Sequence, residues 1–160
     1  MSIWWSLHLR REAASVPLAR RLLLGTMETA GVDPDICFDL SVALSEACAN
    51  AVEHGGPAAD TPRVGMPDPA VCAEYRVTAY LDGDRCRIEV TDSGPGFPPS
   101  TVAGHRPRPA GPSEKEHGRG LGLIAELSDH VRLRNRPGRG AVVSFDKVLK
   151  WREGALLKVS

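Results

Sequence analysis

The sequence has 160 residues, enough for one domain with a hydrophobic core, and it carries 20 basic and 20 acidic residues. A formal net charge of zero gives no indication of a nucleic-acid-binding surface or a polybasic membrane patch. No apolar run approaches the ~20 residues needed to span a bilayer, and the N-terminus lacks the layout of a signal peptide, so we expect a cytoplasmic protein. The scattered cysteines form no CxxC pair and are expected to be small buried hydrophobes: Cys37, Cys48, Cys72 and Cys86.

The first 31 residues predict a strand and a helix. Trp4–Arg10 contains an alternating section, which is typical of an edge strand. A helix is predicted from about Ser15, which can cap it, to Gly31, which can end it. Its apolar side would consist of Val16, Leu18, Leu22, Leu23 and Met27.

The stretch Asp33–Gly55 predicts the central helix. Asp33 can accept hydrogen bonds from the free N–H groups of a helix start, and Pro34 suits the first helical position. An apolar stripe follows at helical spacing: Cys37, Leu40, Leu44, Ala47, Cys48 and Ala51. A polar line is centred about 120° around the helix axis from this stripe. Such a line is ordinarily interpreted as a solvated face of the helix. That line consists of Asp39, Glu46, Asn50 and Glu53.

The middle of the chain predicts an irregular segment and then a hairpin. Gly55–Ala73 contains four prolines, so we expect a protruding loop there. Tyr75–Leu81 and Arg85–Thr91 alternate around an Asp-Gly turn, which indicates a β-hairpin. Asp92 would therefore lie at the end of a strand.

The last third repeats this alternation of loop and ordered segments. Phe97–Glu116 is proline-rich and has no period, whereas Gly118–Asp129 indicates a glycine loop that runs into a helix. Val131–Asn135 and Ala141–Val148 are predicted strands, and Lys150–Ser160 is either a short extra element or a frayed tail.

This order of elements predicts an α/β two-layer sandwich, with a mostly antiparallel mixed sheet covered on one face by about three helices. We expect residues 1–160 to form a single domain, with a core of about 5–148.

Three motifs occur in a characteristic order along the chain. Glu46 and Asn50 form ExxxN on a helix, Asp92–Gly96 forms DxGxG after a strand, and Gly118–Leu123 reads GRGLGL before a helix. This order resembles the GHKL ATPase superfamily, which includes gyrase, heat-shock chaperone ATPases and histidine kinases. The SEACANAVEHG and HGRGLGL segments and the small size are most similar to serine kinases that act as anti-sigma factors. The resemblance covers roughly Trp5 to Val148 and implies a Bergerat-type ATP-binding fold.

The DxGxG segment is the candidate base-binding site. A strand-end aspartate before Ser-Gly-Pro-Gly is ordinarily a turn capper. A buried carboxylate, however, only accepts hydrogen bonds and can select the exocyclic amine of adenine. Gly94 and Gly96 would let the backbone approach a flat base closely. The resemblance assigns the adenine contact to Asp92.

The glycine loop is the candidate phosphate site. Glycines that lead into a helix N-terminus direct several N–H groups and the positive dipole end towards one point, although such a loop can also be a simple hinge. The resemblance implies that residues 97–117 are a lid over the triphosphate. Arg119 could contact a phosphate or face solvent. The candidate residues are Gly118, Arg119, Gly120, Leu121 and Gly122.

The ExxxN pair carries the candidate metal and catalytic roles. Asn50 offers a neutral oxygen to Mg²⁺, and the resemblance places it on the ion that bridges the phosphates. Glu46 matches the family's general base, which accepts a proton from a hydroxyl or from water. His54 could touch a phosphate, but interaction with the helix C-terminal carbonyls is the alternative we favour. One departure is that Ala141, after Gly140, stands where related proteins often carry a threonine near the nucleotide.

The resemblance implies an ATP- and Mg²⁺-dependent protein serine/threonine kinase. It would phosphorylate an anti-sigma-factor antagonist protein and bind a sigma factor, and kinases of this family often form homodimers. Two alternatives are a non-catalytic ATP-binding module that sequesters a partner and a stand-alone domain that phosphorylates histidine on another protein. No direct nucleic-acid or membrane contact is expected.

Overall fold

A computed structural model of the chain describes residues 2–54, 74–94, 96–97, 121–136 and 140–152. Five strands form one sheet: β1 (Ser2–Arg10), β2 (Glu74–Asp82), β3 (Arg85–Asp92), β4 (His130–Asn135) and β5 (Ala141–Val148). The helices are α1 (Ser15–Ala30), α2 (Pro34–His54) and α3 (residues 121–127). The predicted loop at 55–73 and nearly all of the predicted lid lie outside the described residues. None of the helices in these ranges is long and apolar enough to cross a bilayer.

The sheet has the order β1-β2-β3-β5-β4, and all four strand pairings are antiparallel. The predicted two-layer sandwich is confirmed, and β1 lies at an edge of the sheet as expected. Strand β5 lies between β3 and β4, so the start of β5, next to the β4–β5 turn, lies beside the C-terminal end of β3. Thr91 pairs with Val142 in this register, and Asp92 therefore lies next to Ala141.

The helix boundaries follow from local capping. Asp33 Oδ1 accepts a hydrogen bond from the Asp35 N–H at 2.9 Å, which confirms it as the cap of α2. Gly31 ends α1 with a φ of 90°, a conformation that glycine adopts without strain. The predicted cap at Ser15 is wrong, because Ala14 is the N-cap and Ser15 lies inside the helix. The buried Ser15 hydroxyl instead donates to Glu12 O at 2.7 Å and lies 2.6 Å from the Tyr75 hydroxyl.

The core lies between the sheet and the helices. All six residues of the predicted α2 stripe are buried. On α1, Leu23 and Met27 are buried, but Leu18 and Leu22 are exposed, so the predicted apolar side of this helix is partly wrong. The buried positions of α1 are spaced by three or four residues, which leaves a narrow stripe. This narrow stripe is enough for α1, because most of its contacts are with α2 and the edge strand β1.

The start of the predicted tail is ordered by the turn between α1 and α2. The Asp33 N–H donates to Lys150 O at 2.7 Å, and the Arg152 N–H donates to Gly31 O at 2.7 Å. Trp151 forms an isolated β-bridge with Val32. Residues 150–152 therefore behave as a short extra element, and residues 153–160 lie outside the described ranges.

Three cysteines are free and buried, as expected, and Cys72 lies outside the described residues. Burial raises the pKa of Cys37 and brings the pKa values of Cys48 and Cys86 from 9.0 to about 12. We expect these three thiols to resist iodoacetamide at pH 8 in the native protein and to react in denaturant, because the thiolate is the nucleophile. Mass spectrometry of the labelled peptides measures this.

The same thiols predict loss of stability at alkaline pH. A raised folded-state pKa means that the folded protein favours the neutral thiol. The resulting contribution to the free energy of unfolding is fully present below 9.0, the pKa of the thiol in the unfolded chain. The free energy of unfolding should therefore fall as the pH rises from about 9 towards 12. Urea titrations at several pH values test this, and a flat profile over that range would contradict it.

Candidate functional site

A cleft that is partly open to solvent lies between the C-terminal half of α2 and the adjoining ends of β3 and β5. Among the described residues, three polar side chains line it: Asn50, His54 and Asp92. Small or apolar residues complete the lining: Ala47, Ala51, Val90, Gly96, Phe97, Ala141 and Val143. An apolar slot with a few polar groups is the usual composition of a small-molecule site.

Asp92 is held at the end of β3 by two backbone N–H groups. Its Oδ1 accepts hydrogen bonds from the Gly94 N–H at 2.9 Å and from the Ala141 N–H at 3.1 Å. Within the described ranges, Oδ2 accepts none, so one oxygen orients the carboxylate and the other remains as an acceptor. Asp92 does cap the local turn, as the ordinary interpretation predicted, and it also lines the cleft.

Gly140 brings the β4–β5 hairpin against Asp92. A Cβ at this position would clash with the Asp92 carbonyl group, and the φ of 88° is itself unfavourable for other residues. The close approach allows Ala141 to donate its N–H to the Asp92 carboxylate. The backbone of Ala141 thus contacts the candidate base-binding residue, and its methyl group adds no hydroxyl to the cleft.

Gly96 and Phe97 form another wall of the cleft and are held by Asn135. The Phe97 N–H donates to Asn135 Oδ1 at 2.7 Å, and Asn135 Nδ2 donates to Phe97 O at 2.9 Å. Gly96 has a φ of 86°, and a Cβ there would lie 2.6 Å from Asn135 Oδ1. No motif in the sequence marks Asn135 as a site residue, since a strand-end asparagine before an Arg-Pro-Gly turn looks like an ordinary turn residue.

The last turns of α2 supply the other polar side of the cleft. Asn50 and His54 line it, and His54 Nε2 also lies 3.5 Å from Glu53 Oε2. Glu46 is half-buried one turn before Asn50 and is not among the lining residues. Arg11 lies beside the end of this helix, where its Nε and a terminal nitrogen donate to Ala51 O and Val52 O at 3.3 and 2.8 Å. Its guanidinium therefore caps the C-terminal end of α2.

The remaining predicted positions lie apart from this cleft or outside the described residues. Gly118, Arg119 and Gly120 lie outside them. Leu121 is buried at the start of the described part of α3, and neither it nor Gly122 lines the cleft. Gly94 contributes its N–H to Asp92 without lining the cleft.

The described residues include no cluster of three His, Cys, Asp or Glu side chains that could hold a metal ion. A resident metal cage is therefore not built from those side chains. Mg²⁺ fits the available chemistry in a different way, because it commonly uses one or two protein oxygens together with water and substrate phosphates. The Asn50 carboxamide, which lines the cleft, offers one such oxygen.

Comparison with known proteins agrees with this fold. The family described as "Histidine kinase-like ATPase domain" matches residues 9–147. The serine-protein kinase RsbW of Bacillus licheniformis is 32% identical over 142 residues, which cover 84% of this chain and 78% of that protein. The anti-sigma F factor of Pasteuria penetrans is 29% identical over 126 residues, which cover 76% of this chain and 75% of that protein.

A solved structure shares the fold. The structure of the RsbU and RsbW domains of a Mycobacterium tuberculosis protein superimposes with a TM-score of 0.59 at 22% identity and covers 91% of this chain. This chain spans about a third of that protein, 32% of its length. The family model matches most of the chain, and the antiparallel two-layer sandwich is consistent with that match, so the chain belongs to the histidine kinase-like ATPase family of the GHKL type.

Proposed function

We propose that this protein is an ATP-dependent serine/threonine kinase of the anti-sigma-factor type. It acts in the cytoplasm, phosphorylates an anti-sigma-factor antagonist protein and, by binding a sigma factor, regulates transcription. The observation that carries the proposal is the shared cleft of Asn50 and Asp92, in which Asp92 is oriented by two backbone N–H groups. The names of the relatives, serine-protein kinase RsbW and anti-sigma F factor, support the same class.

Asp92 recognises the base in this proposal. Its Oδ2 accepts a hydrogen bond from the exocyclic amine of adenine, while Oδ1 stays bonded to Gly94 and Ala141. The small and apolar lining residues contact the faces of the ring, and Gly96 keeps one wall free of a side chain. A carboxylate in an apolar slot discriminates strongly, because an unpaired polar group there is costly.

Asn50 holds Mg²⁺, which neutralises charge on the phosphate groups when it is bound. His54 lies one turn further along α2 and lines the same cleft, and this position favours contact with a phosphate oxygen over the helix-end interaction preferred from the sequence. The backbone N–H groups of residues 118–122 and the Arg119 side chain bind the rest of the triphosphate tail, and residues 97–117 close over it.

Glu46 acts as the general base. Its carboxylate accepts the proton from the attacking serine or threonine hydroxyl of the antagonist protein. The remaining demands on the protein are orientation and charge stabilisation, which the metal ligand and the glycine loop meet. In this proposal residues 1–160 form one kinase domain, with 150–160 as a tail, and two copies form a homodimer.

Replacement of Asn50 by Ala should weaken Mg·ATP binding by about tenfold or more, because one oxygen ligand of the ion is lost. The substitution should lower the affinity for ATP far less in EDTA than in the presence of Mg²⁺. Calorimetric titrations of the wild type and Asn50→Ala under both conditions measure the difference. If Mg²⁺ increases the affinity for ATP as much in the variant as in the wild type, Asn50 is not a ligand of the metal ion.

One observation favours a second candidate function. Glu46 does not line the cleft, and a non-catalytic module that sequesters a partner needs ATP binding without a base. The purified chain should be incubated with radiolabelled ATP and candidate antagonist proteins. The kinase proposal predicts acid-stable phosphate on serine or threonine. Acid-labile phosphate would indicate a histidine kinase, and ATP binding without transfer to any candidate would favour the sequestering module.

A further inference from the structure

Asn135 and Ala141 hold the two ends of one short loop. They are directly paired in the register of β4 and β5. Ala141 donates its N–H to the Asp92 carboxylate, and Asn135 makes two hydrogen bonds with the backbone of Phe97, 38 positions away in the chain. A single pair of residues on one hairpin therefore fixes both Asp92 and Phe97, which flank the glycine-containing loop beside the cleft.

The loop needs such support because of its composition. Gly94 and Gly96 each allow many backbone conformations, so a loop that contains both loses considerable entropy when it is ordered. If the loop became ordered only when a ligand bound, the observed affinity would be the intrinsic affinity multiplied by the fraction of free molecules in which the loop is already in place. The two hydrogen bonds of Asn135, at 2.7 and 2.9 Å, restrict the loop before any ligand arrives.

We propose that Asn135 is a positioning residue for the base end of the cleft. It acts through Gly96 and Phe97, which line the cleft, and does not touch the ligand itself. This inference rests on the proposed ATP binding. It separates two functions within the site, because Asn135 supports recognition of the base, whereas Glu46 and Asn50 on α2 serve the reaction and the metal.

Steady-state kinetics of Asn135→Ala tests whether Asn135 supports recognition of the base and not the reaction itself. We expect the KM and the Kd for Mg·ATP to rise about tenfold, because two hydrogen bonds that order the loop are lost, while kcat stays within about twofold. Arg134→Ala is the matched control, since Arg134 is the preceding residue of β4, is exposed, and alternates to the opposite face of the sheet. Its KM and Kd should stay within about twofold of the wild type.

A double-mutant cycle with Gly96→Ala tests the contact itself. The added Cβ clashes with the Asn135 side chain in the wild type, and that part of the effect disappears when Asn135 is alanine. Gly96→Ala should therefore weaken ATP binding at least about threefold less in the Asn135→Ala background than in the wild type. Melting temperatures of all four proteins show that each variant is folded.

Three results would overturn the inference alone. If Asn135→Ala binds Mg·ATP as tightly as Arg134→Ala, or if it lowers kcat with an unchanged KM, Asn135 does not position the base loop. Additive effects of the two substitutions would likewise remove the proposed coupling between Asn135 and Gly96. If the wild type itself does not bind ATP, this inference and the proposed function both fail, whereas the first three outcomes leave the proposed function intact.

Discussion

Asp92→Asn should bind Mg·ATP about 100-fold or more weakly than the wild type, with little change in melting temperature. The amide oxygen of asparagine can still accept the N–H groups of Gly94 and Ala141, so the local structure is retained. Its NH₂ group then stands where Oδ2 was, and two donors face each other when adenine enters. The loss of a hydrogen bond to a charged group together with an unpaired donor amounts to about 3 kcal/mol, which corresponds to that factor.

The same substitution should reverse the base preference. Inosine carries a carbonyl oxygen in place of the adenine amine, so the new NH₂ group can donate to it. We expect the wild type to prefer ATP to ITP and Asp92→Asn to prefer ITP, as measured by competition binding. A general disruption of the site would lower both affinities without changing their order.

Asp129→Asn provides a matched control for Asp92→Asn. Asp129 also accepts a backbone N–H of β5, that of Val148 at 2.6 Å, but it is not a lining residue of the cleft. Its substitution should leave the affinity for ATP within about twofold of the wild type. Wild-type affinity and wild-type base preference in Asp92→Asn would show that Asp92 does not bind the base.

Glu46→Gln should retain ATP binding and lose phosphotransfer. Glutamine has the same shape but cannot accept the substrate proton as a general base, so kcat should fall by about 100- to 1000-fold. The Kd for Mg·ATP should change by less than about twofold, because Glu46 does not line the cleft that holds the nucleotide. Equilibrium binding and transfer of radiolabelled phosphate to the antagonist protein measure the two properties separately.

Asp39→Asn is the control for Glu46→Gln on the same polar line of α2. Asp39 Oδ2 lies 3.7 Å from Lys147 Nζ, a loose contact with β5. Because such partly exposed ion pairs contribute little, this variant should transfer phosphate at close to the wild-type rate. Full activity of Glu46→Gln would show that Glu46 is not the general base of the reaction.

Local patterns were sufficient to predict the helices, the strands and several of their ends. The spacing of Leu40, Leu44 and Ala51 predicts the buried side of α2, and Asp33 and Gly31 mark helix ends, because these signals act within a few residues of one another. The DxGxG and ExxxN motifs likewise identified two segments that meet at one cleft. Their nearness followed from the resemblance of the motifs to a known family, and spacing along the chain did not reveal it.

Such local patterns could not predict contacts between segments that are distant along the chain. The insertion of β5 between β3 and β4 brings Ala141 to Asp92, and the same hairpin brings Asn135 to Phe97. An arginine such as Arg11 is ordinarily a surface residue, and it caps α2 here only because β1 and α2 end close together. Hydrogen bonds between residues that are 38 to 49 positions apart depend on how the strands are ordered, and several strand orders satisfy the same hydrophobic alternation. Packing in three dimensions selects one of these orders, and with it the residues that surround the cleft.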